Sequence, residues 1–265
     1  MNISEIKQKL QGKQHTIGTW MQIPNTSVAE IMGKAGYDWV AVDLEHGHFS
    51  NENLPDIFRA IELGGTVPFA RLAQCEQKDI KQALDAGARG LILPMIETSE
   101  QLKQGVSWAY YPPIGIRGVG YSRANLFGKK FDTCVQQKTQ ELVIAAQIEH
   151  VRAVENLESI LSVNGLDAII VGPYDLSGSM GLTGKFDDPR FVQMMSTISE
   201  KAEKDNIPMG VHVVQPDTKK LKEAISNGYQ FIAYGIDAVF LYRSAERPIN
   251  ESNIAKIKES KIRKT

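Results

Sequence analysis

Apolar residues along the chain fall into two alternating patterns. Short, nearly continuous runs rich in β-branched and aromatic residues recur eight times: HTIGTWMQ (15–22), WVAVDLE (39–45), TVPFARL (66–72), GLILPMI (90–96), LVIAAQIE (142–149), DAIIVGP (167–173), PMGVHVV (208–214) and FIAYGID (231–237). Between them lie amphipathic stretches with helix signals, among them SVAEIMGKAG, ENLPDIFRAIELGG, EQKDIKQALDAGARG, RAVENLESILSVNG and DTKKLKEAISNG. Several end in Gly or Asn, the residues that helix C-termini prefer. Eight strand–helix units with strands apolar on both faces predict a closed parallel (β/α)8 TIM barrel of the α/β class. An open doubly wound sheet is the poorer fit, and nothing resembling GxGxxG follows the first strand.

At 265 residues and 42% hydrophobic, the chain is long enough for one large core, and a single barrel domain over 1–265 is expected. One spacing departs from the pattern. About fifty residues separate the fourth run from the fifth, too many for one helix and an ordinary loop. They include YYPPIGIRGVGYSRANLFGKKF, read here as a loop over the site, with Gly115, Gly118 and Gly120 allowing tight turns or close approach of backbone to a ligand.

Charge and cysteine usage narrow the partners. Thirty basic against 31 acidic residues leave a formal charge of −1, which gives no electrostatic reason to expect nucleic acid or an anionic membrane. A small molecule is the expected partner. Cys75 and Cys134 make neither a disulfide framework nor a zinc spacing, and no apolar run approaches the eighteen or so residues of a membrane span. A cytoplasmic location is the simplest expectation.

In such barrels chemistry gathers at the C-terminal ends of the strands. The polar residues there are Gln22, Asp43, Glu45, His46, Arg71, Gln147, Glu149, Asp175, His212 and Asp237. Glu149 ends an otherwise buried run, where a carboxylate is costly to desolvate unless a cation meets it. Asp175 follows the neighbouring strand, so the two carboxylates can converge on one hard divalent ion with positions left for water and a chelating 2-oxo acid. Alternatively, each pairs with an Arg or caps a loop. Gly172, in GPYDLSGSMG, frees backbone amides that can hold an anionic carboxylate. His46 is a candidate base with Asp43 or Asp85 as its orienting carboxylate, while His48 reads as a solvated loop residue. Arg71 closes the third strand and can stabilise an enolate or carboxylate oxygen, or make a salt bridge to Glu45 or Glu149. No Lys falls in any of the eight strand runs, so a Schiff-base route lacks its nucleophile there.

Taken together, AVDLEHG, PFAR, ALDAGARGLILPM, YPPIGIRGVG, QIE and VGPYDLS resemble the HpcH/HpaI aldolase family, in order and at family spacing from about residue 15 to 245. The resemblance implies a divalent-metal (Mg²⁺, Mn²⁺ or Co²⁺) class II aldolase that reversibly cleaves a 4-hydroxy-2-oxo acid to pyruvate and an aldehyde. It implies Glu149 and Asp175 as metal ligands. Gln147 and the backbone from Gly172 through Pro173 and Tyr174 to Asp175 would bind the pyruvyl part. His46 would be the base, directly or through a metal-bound water, with Asp85 raising its basicity and Arg71 stabilising developing charge. It also implies a homohexamer with an exchanged C-terminal helix near 238–245. Two positions depart from the family pattern: Tyr174 replaces a small or amide residue, and His212 an aliphatic one on the aldehyde side. Both leave the metal chemistry intact and put the aldehyde in question. The rivals are an enolate-forming lyase or decarboxylase acting on another 2-oxo acid or an acyl thioester, and a non-catalytic barrel. The first lacks a basic cluster at the rim for a thioester's cofactor, and the second should have lost one of His46, Arg71, Glu149 or Asp175.

Overall fold

The computed structural model describes residues 1–136 and 141–245. Its eight strands are β1 (Thr16–Met21), β2 (Trp39–Asp43), β3 (Val67–Arg71), β4 (Gly90–Leu93), β5 (Val143–Ile148), β6 (Ala168–Val171), β7 (Met209–Val213) and β8 (Phe231–Ile236). Each pairs in parallel with the next, and β8 closes on β1. All eight predicted runs are therefore strands. Several predicted runs extend beyond the ladder at their C-terminal ends, where the polar residues of the rim begin.

Side chains alternate across each strand, and this period of two decides what the barrel holds. The inward set comprises Trp39 and Ala41 of β2, Val67 and Phe69 of β3, Val143 and Ala145 of β5, Ala168 and Ile170 of β6, and Phe231 and Ala233 of β8. Outward residues such as Val40, Val42, Ile144 and Ile169 pack under the helical layer. Trp39 stacks between Phe231 (4.5 Å) and Phe69 (5.3 Å), filling the lumen. Gly18 and Gly90 face the Trp39 and Phe69 rings so closely that a Cβ on either would overlap them. Large rings opposite missing side chains let the barrel pack without a pore.

The outer layer comprises α2 (Thr26–Lys34), α3 (Leu54–Leu63), α4 (Gln77–Ala86), α5 (Ser99–Ala109), α10 (Pro189–Lys204), α11 (Thr218–Ser226) and shorter pieces. The predicted helix at RAVENLESILSVNG breaks at Asn156 into α7 (Val151–Glu155) and α8 (Leu157–Leu161). The N-terminal segment adds a helix outside the predicted stretches. Ile3–Gln11 forms α1, whose Ile3, Ile6 and Leu10 join the lumen cluster. Its start carries a reciprocal capping box between Asn2 and Glu5, which satisfies two otherwise orphaned amides.

The long insertion after α5 is the main topological correction. It runs from the end of a helix to the start of β5, so it belongs to the base of the barrel, opposite the strand C-termini. Arg117 reaches Asp85 at 2.7 Å, and Arg123 reaches the Ala86 carbonyl at 3.0 Å and the Glu62 carboxylate. Both arginines fasten the insertion to α3 and α4. Gly87 makes room for Arg123: it is left-handed (φ +117°), and a Cβ there would collide with the guanidinium. Within this chain the segment does not cover the mouth. After a 3₁₀ turn at Arg123–Asn125 its last described helix is α6 (Phe131–Gln136).

Candidate active site

The inward period continues past the last apolar residue of each strand and delivers polar groups to one ring. On β2 the series is Trp39, Ala41, Asp43; on β3 it is Val67, Phe69, Arg71; on β5 it is Val143, Ala145, Gln147 and then Glu149. The ladder sets Asp43 beside Arg71 and His212 beside Ala233. Asp43, Arg71, Gln147 and His212 open onto a cleft of about 350 Å³ at the C-terminal ends of the strands, and the buried Glu149 touches Gln147 and Gly172 of its wall. Asp43, His46, Arg71, Gln147, Gly172, Pro173, Tyr174, Asp175 and His212 all line it. A larger hollow of about 410 Å³ lies beneath the insertion at the barrel base, lined by Arg117 and Arg123 and remote from both candidate metal ligands.

Asp43 is fully buried and grips Arg71 with both oxygens, Nε to Oδ1 at 2.8 Å and Nη2 to Oδ2 at 3.0 Å. Such a bidentate pair is planar and directional, so it fixes the guanidinium as well as neutralising it. Glu45 takes a third N–H from Nη1. Of the five guanidinium N–H donors, three are thus committed and two remain. The Oδ1 of Asp43 also accepts the backbone amides of Glu45 (3.1 Å) and His46 (3.2 Å), which shapes the turn that presents His46. His46 is exposed to solvent, as is His48.

Asp85 corrects the sequence reading. It stands near the C-terminal end of α4, which runs antiparallel to the strands and so ends at the base. Its carboxylate is held by Arg117 (2.7 Å) and Lys81 (2.7 Å), and in this chain it does not orient His46. Asp43, the other candidate, touches His46 through the backbone amide and commits its side chain to Arg71.

Glu149 is 4% exposed. Its Oε1 accepts the Met95 amide at 2.7 Å, and Oε2 accepts the Gln147 carboxamide. No basic side chain hydrogen-bonds it among the described residues. Burial pushes its carboxyl above the ordinary value and the nearby Asp175 charge pushes the same way, against the two hydrogen bonds and the more distant Arg71 charge. Gly172 comes so near that a Cβ there would stand 2.8 Å from Oε2. Asp175 sits in the first turn of α9 (Pro173–Ser179), exposed at the cleft. The Oε1 of Gln147 is buried and accepts no hydrogen bond. Two adjacent carboxylates, one desolvated without a cation, and an orphan acceptor beside them fit a hard divalent ion with oxygen ligands. No third His, Cys, Asp or Glu joins them among the described residues.

His212 is half-buried, its ring stacked on Trp20 with centroids 4.7 Å apart. Its Nε2 lies 3.1 Å from the Gly235 carbonyl and so carries the proton. Burial brings its pKa down to about 4, so the ring is neutral at physiological pH, with Nδ1 left as an acceptor. Tyr174 is 58% exposed and packs edge-on against Phe186. The contributions of Trp20 and of the Met95 amide went unnoticed in the sequence. Trp20 reads as one more apolar residue of the first run, and a backbone donor leaves no trace in residue type.

Sequence and structure comparisons give the chain its family. The HpcH/HpaI aldolase/citrate lyase model matches residues 16–244. The chain belongs to this family. Its members here include the 2-keto-3-deoxy-L-rhamnonate aldolase of Salmonella gallinarum, 34% identical over 241 residues, covering 90% of this chain and 89% of that protein. The 4-hydroxy-2-oxovalerate aldolase of Novosphingobium aromaticivorans is 32% identical over 246 residues, 92% of each chain. A crystal structure of a family protein from Burkholderia cenocepacia superposes with a TM-score of 0.86 at 29% identity, covering 96% of this chain and 99% of that one. This HpcH/HpaI chain is accordingly a carbon–carbon lyase of the aldolase type.

Proposed function

We propose that this cleft reversibly cleaves a 4-hydroxy-2-oxo acid to pyruvate and an aldehyde, with Glu149 and Asp175 holding Mg²⁺, Mn²⁺ or Co²⁺. The observation that carries the reading is Glu149: a buried carboxylate with no hydrogen-bonded cationic partner among the described residues, near a second carboxylate, at the C-terminal end of the barrel strands. When bound, the ion supplies the Lewis acid that lets carbon 3 of the 2-oxo acid carry charge as the C3–C4 bond breaks.

The chain's own groups do the rest. Arg71, fixed by Asp43 and Glu45, offers its two remaining N–H groups to the negative charge that grows on the 2-oxo oxygen. Because the guanidinium is already held, little reorganisation accompanies that charge. His46 accepts the C4 hydroxyl proton as the aldehyde forms and returns it in synthesis. The first-turn amides at Tyr174 and Asp175 have no partner within their helix and face the substrate carboxylate. Gln147, through its bond to Glu149, holds that ligand in place.

His212 closes the opposite wall, on β7, and contacts the aldehyde portion. As a neutral ring with a free acceptor nitrogen it favours a hydroxyl over a carboxylate, so the aldehyde is hydroxylated. No helix among the described residues is long and apolar enough to cross a membrane. The assembly is a homo-oligomer in which a helix near the C-terminus, α12 (Asp237–Ser244), packs on a neighbouring subunit. Its Leu241 and Tyr242 are 59% and 70% exposed in the single chain. The test is pyruvate release from a panel of 4-hydroxy-2-oxo acids, with and without added divalent ion. Metal-dependent release from a hydroxylated substrate is expected, and no release from any of them overturns the reading.

A further inference from the structure

A chain of hydrogen bonds leads from the start of α12 to the guanidinium in the cleft. Asp237 is 3% exposed and does not line the cleft. Its Oδ1 accepts the backbone amides of Gln22 (2.8 Å) and Ala238 (2.7 Å), and its Oδ2 accepts that of Ile23 (2.9 Å). The turn leaving β1 is thereby pinned to the end of β8, across the seam where the barrel closes. Gln22, held at its backbone, donates its side-chain Nε2 to Oδ2 of Asp43 at 2.9 Å. That same oxygen receives Nη2 of Arg71 at 3.0 Å.

We propose that Asp237 and Gln22 are positioning residues for Arg71, acting in series through Asp43. Cleavage places new charge opposite the guanidinium, and electrostatic stabilisation of this kind depends on donors already in place. Asp43 fixes the plane of Arg71 and is itself held by backbone amides only at Oδ1, which leaves Oδ2 to be constrained from elsewhere. Gln22 supplies that constraint, and Gln22 is set in turn by the carboxylate that anchors its backbone. An amide at position 237 would lose one acceptor oxygen and bring N–H groups against backbone N–H donors. The loop would be released together with Gln22, which lines the cleft, while the other cleft side chains keep their identity. The proposal rests on the role given to Arg71 above. Glu149 and Asp175 have no part in this chain of bonds, and His46 meets it only through its backbone amide on Asp43 Oδ1.

The test is a double-mutant cycle on Asp237→Asn and Gln22→Ala in the full-length protein. Each single variant should lower kcat roughly tenfold, the scale for losing one hydrogen bond to a charged group. The Mn²⁺ dissociation constant and the KM should stay near wild type. Because the two residues act in series, the double variant should be no worse than either single one. Multiplying losses, or a kcat indistinguishable from wild type, would overturn the proposal. A general structural role would instead lower the melting temperature and the folded fraction, with kcat per folded site unchanged. Should Asp237→Asn fail to fold, Asp237→Glu, which retains the charge but displaces it by one methylene, is read on the same scale. The Nε–H resonance of Arg71 gives an answer independent of turnover: it should shift in both single variants alike. If that signal shifts while wild type releases no pyruvate, the positioning stands and the aldolase reading falls. If it does not move in either variant, the positioning is wrong whatever the enzyme cleaves.

Discussion

Gly172 and Glu149 stand on neighbouring strand ends with no room for a methyl group between them: a Cβ on Gly172 would lie 2.8 Å from Glu149 Oε2 and 2.9 Å from its Cβ. The glycine is at an ordinary negative φ (−93°), so its requirement is space and not backbone freedom. Gly172→Ala should therefore displace the carboxylate more than it harms the fold. Divalent-ion affinity, followed by Mn²⁺ titration, is expected to weaken about 10–100-fold, the usual range for disturbing a ligand's surroundings. An unchanged affinity would mean that Glu149 is not a ligand.

His46 is delivered to the cleft by a turn that Asp43 shapes through two backbone amides. His46→Ala leaves those amides in place. It should lower kcat by roughly 10² or more, the scale of a lost general base, and leave Mn²⁺ binding largely intact. A full kcat would remove His46 from the reaction.

His212 yields a prediction in each of two quantities. Replacing it with Leu should lower kcat/KM for hydroxylated aldehydes by roughly tenfold, the cost of an unmade hydrogen bond in a buried site, with exchange of the pyruvate methyl protons near wild type. Equal falls in both would place His212 in the catalytic machinery, and no change in either would make it a packing residue.

The same side chain couples stability to pH. Its folded pKa is about 4 against an ordinary 6.5, so the unfolded chain binds the proton first. Its contribution is fully present above pH 6.5 and is lost as pH falls towards 4. His212→Leu should lose less stability than wild type over that interval in urea titrations at several pH values. Parallel stability curves would contradict the assigned burial.

Much of this was legible in the sequence because the barrel is periodic. Alternation along β5 sends Val143, Ala145 and Gln147 inward, and the next residue in that series is Glu149, so a strand reading already aims the carboxylate. Asp43 and Arg71 follow by the same count on β2 and β3. Asp85 was misplaced because residue type says nothing of which end of a helix a side chain occupies. It lies near the C-terminus of α4, at the base, with Arg117 within reach. The insertion was misread for a related reason. Its glycines suggest a ligand loop, yet it connects a helix to a strand, and such connections emerge at the base of a parallel barrel. The α1 plug was passed over because its sequence is polar on average, while Ile3, Ile6 and Leu10 share one face.

The most direct measurement is deuterium exchange at the pyruvate methyl group, which needs neither the natural aldehyde nor a guess at its stereochemistry. Removal of a methyl proton is the same carbanion chemistry as the aldol step. With Mg²⁺, Mn²⁺ or Co²⁺ present, exchange should proceed, and it should stop on exhaustive chelation, return with added ion, and be lost in Glu149→Gln. Exchange that persists in chelator, or a pyruvate adduct trapped by borohydride, would show an imine route and contradict the assignment of Glu149 and Asp175 as metal ligands.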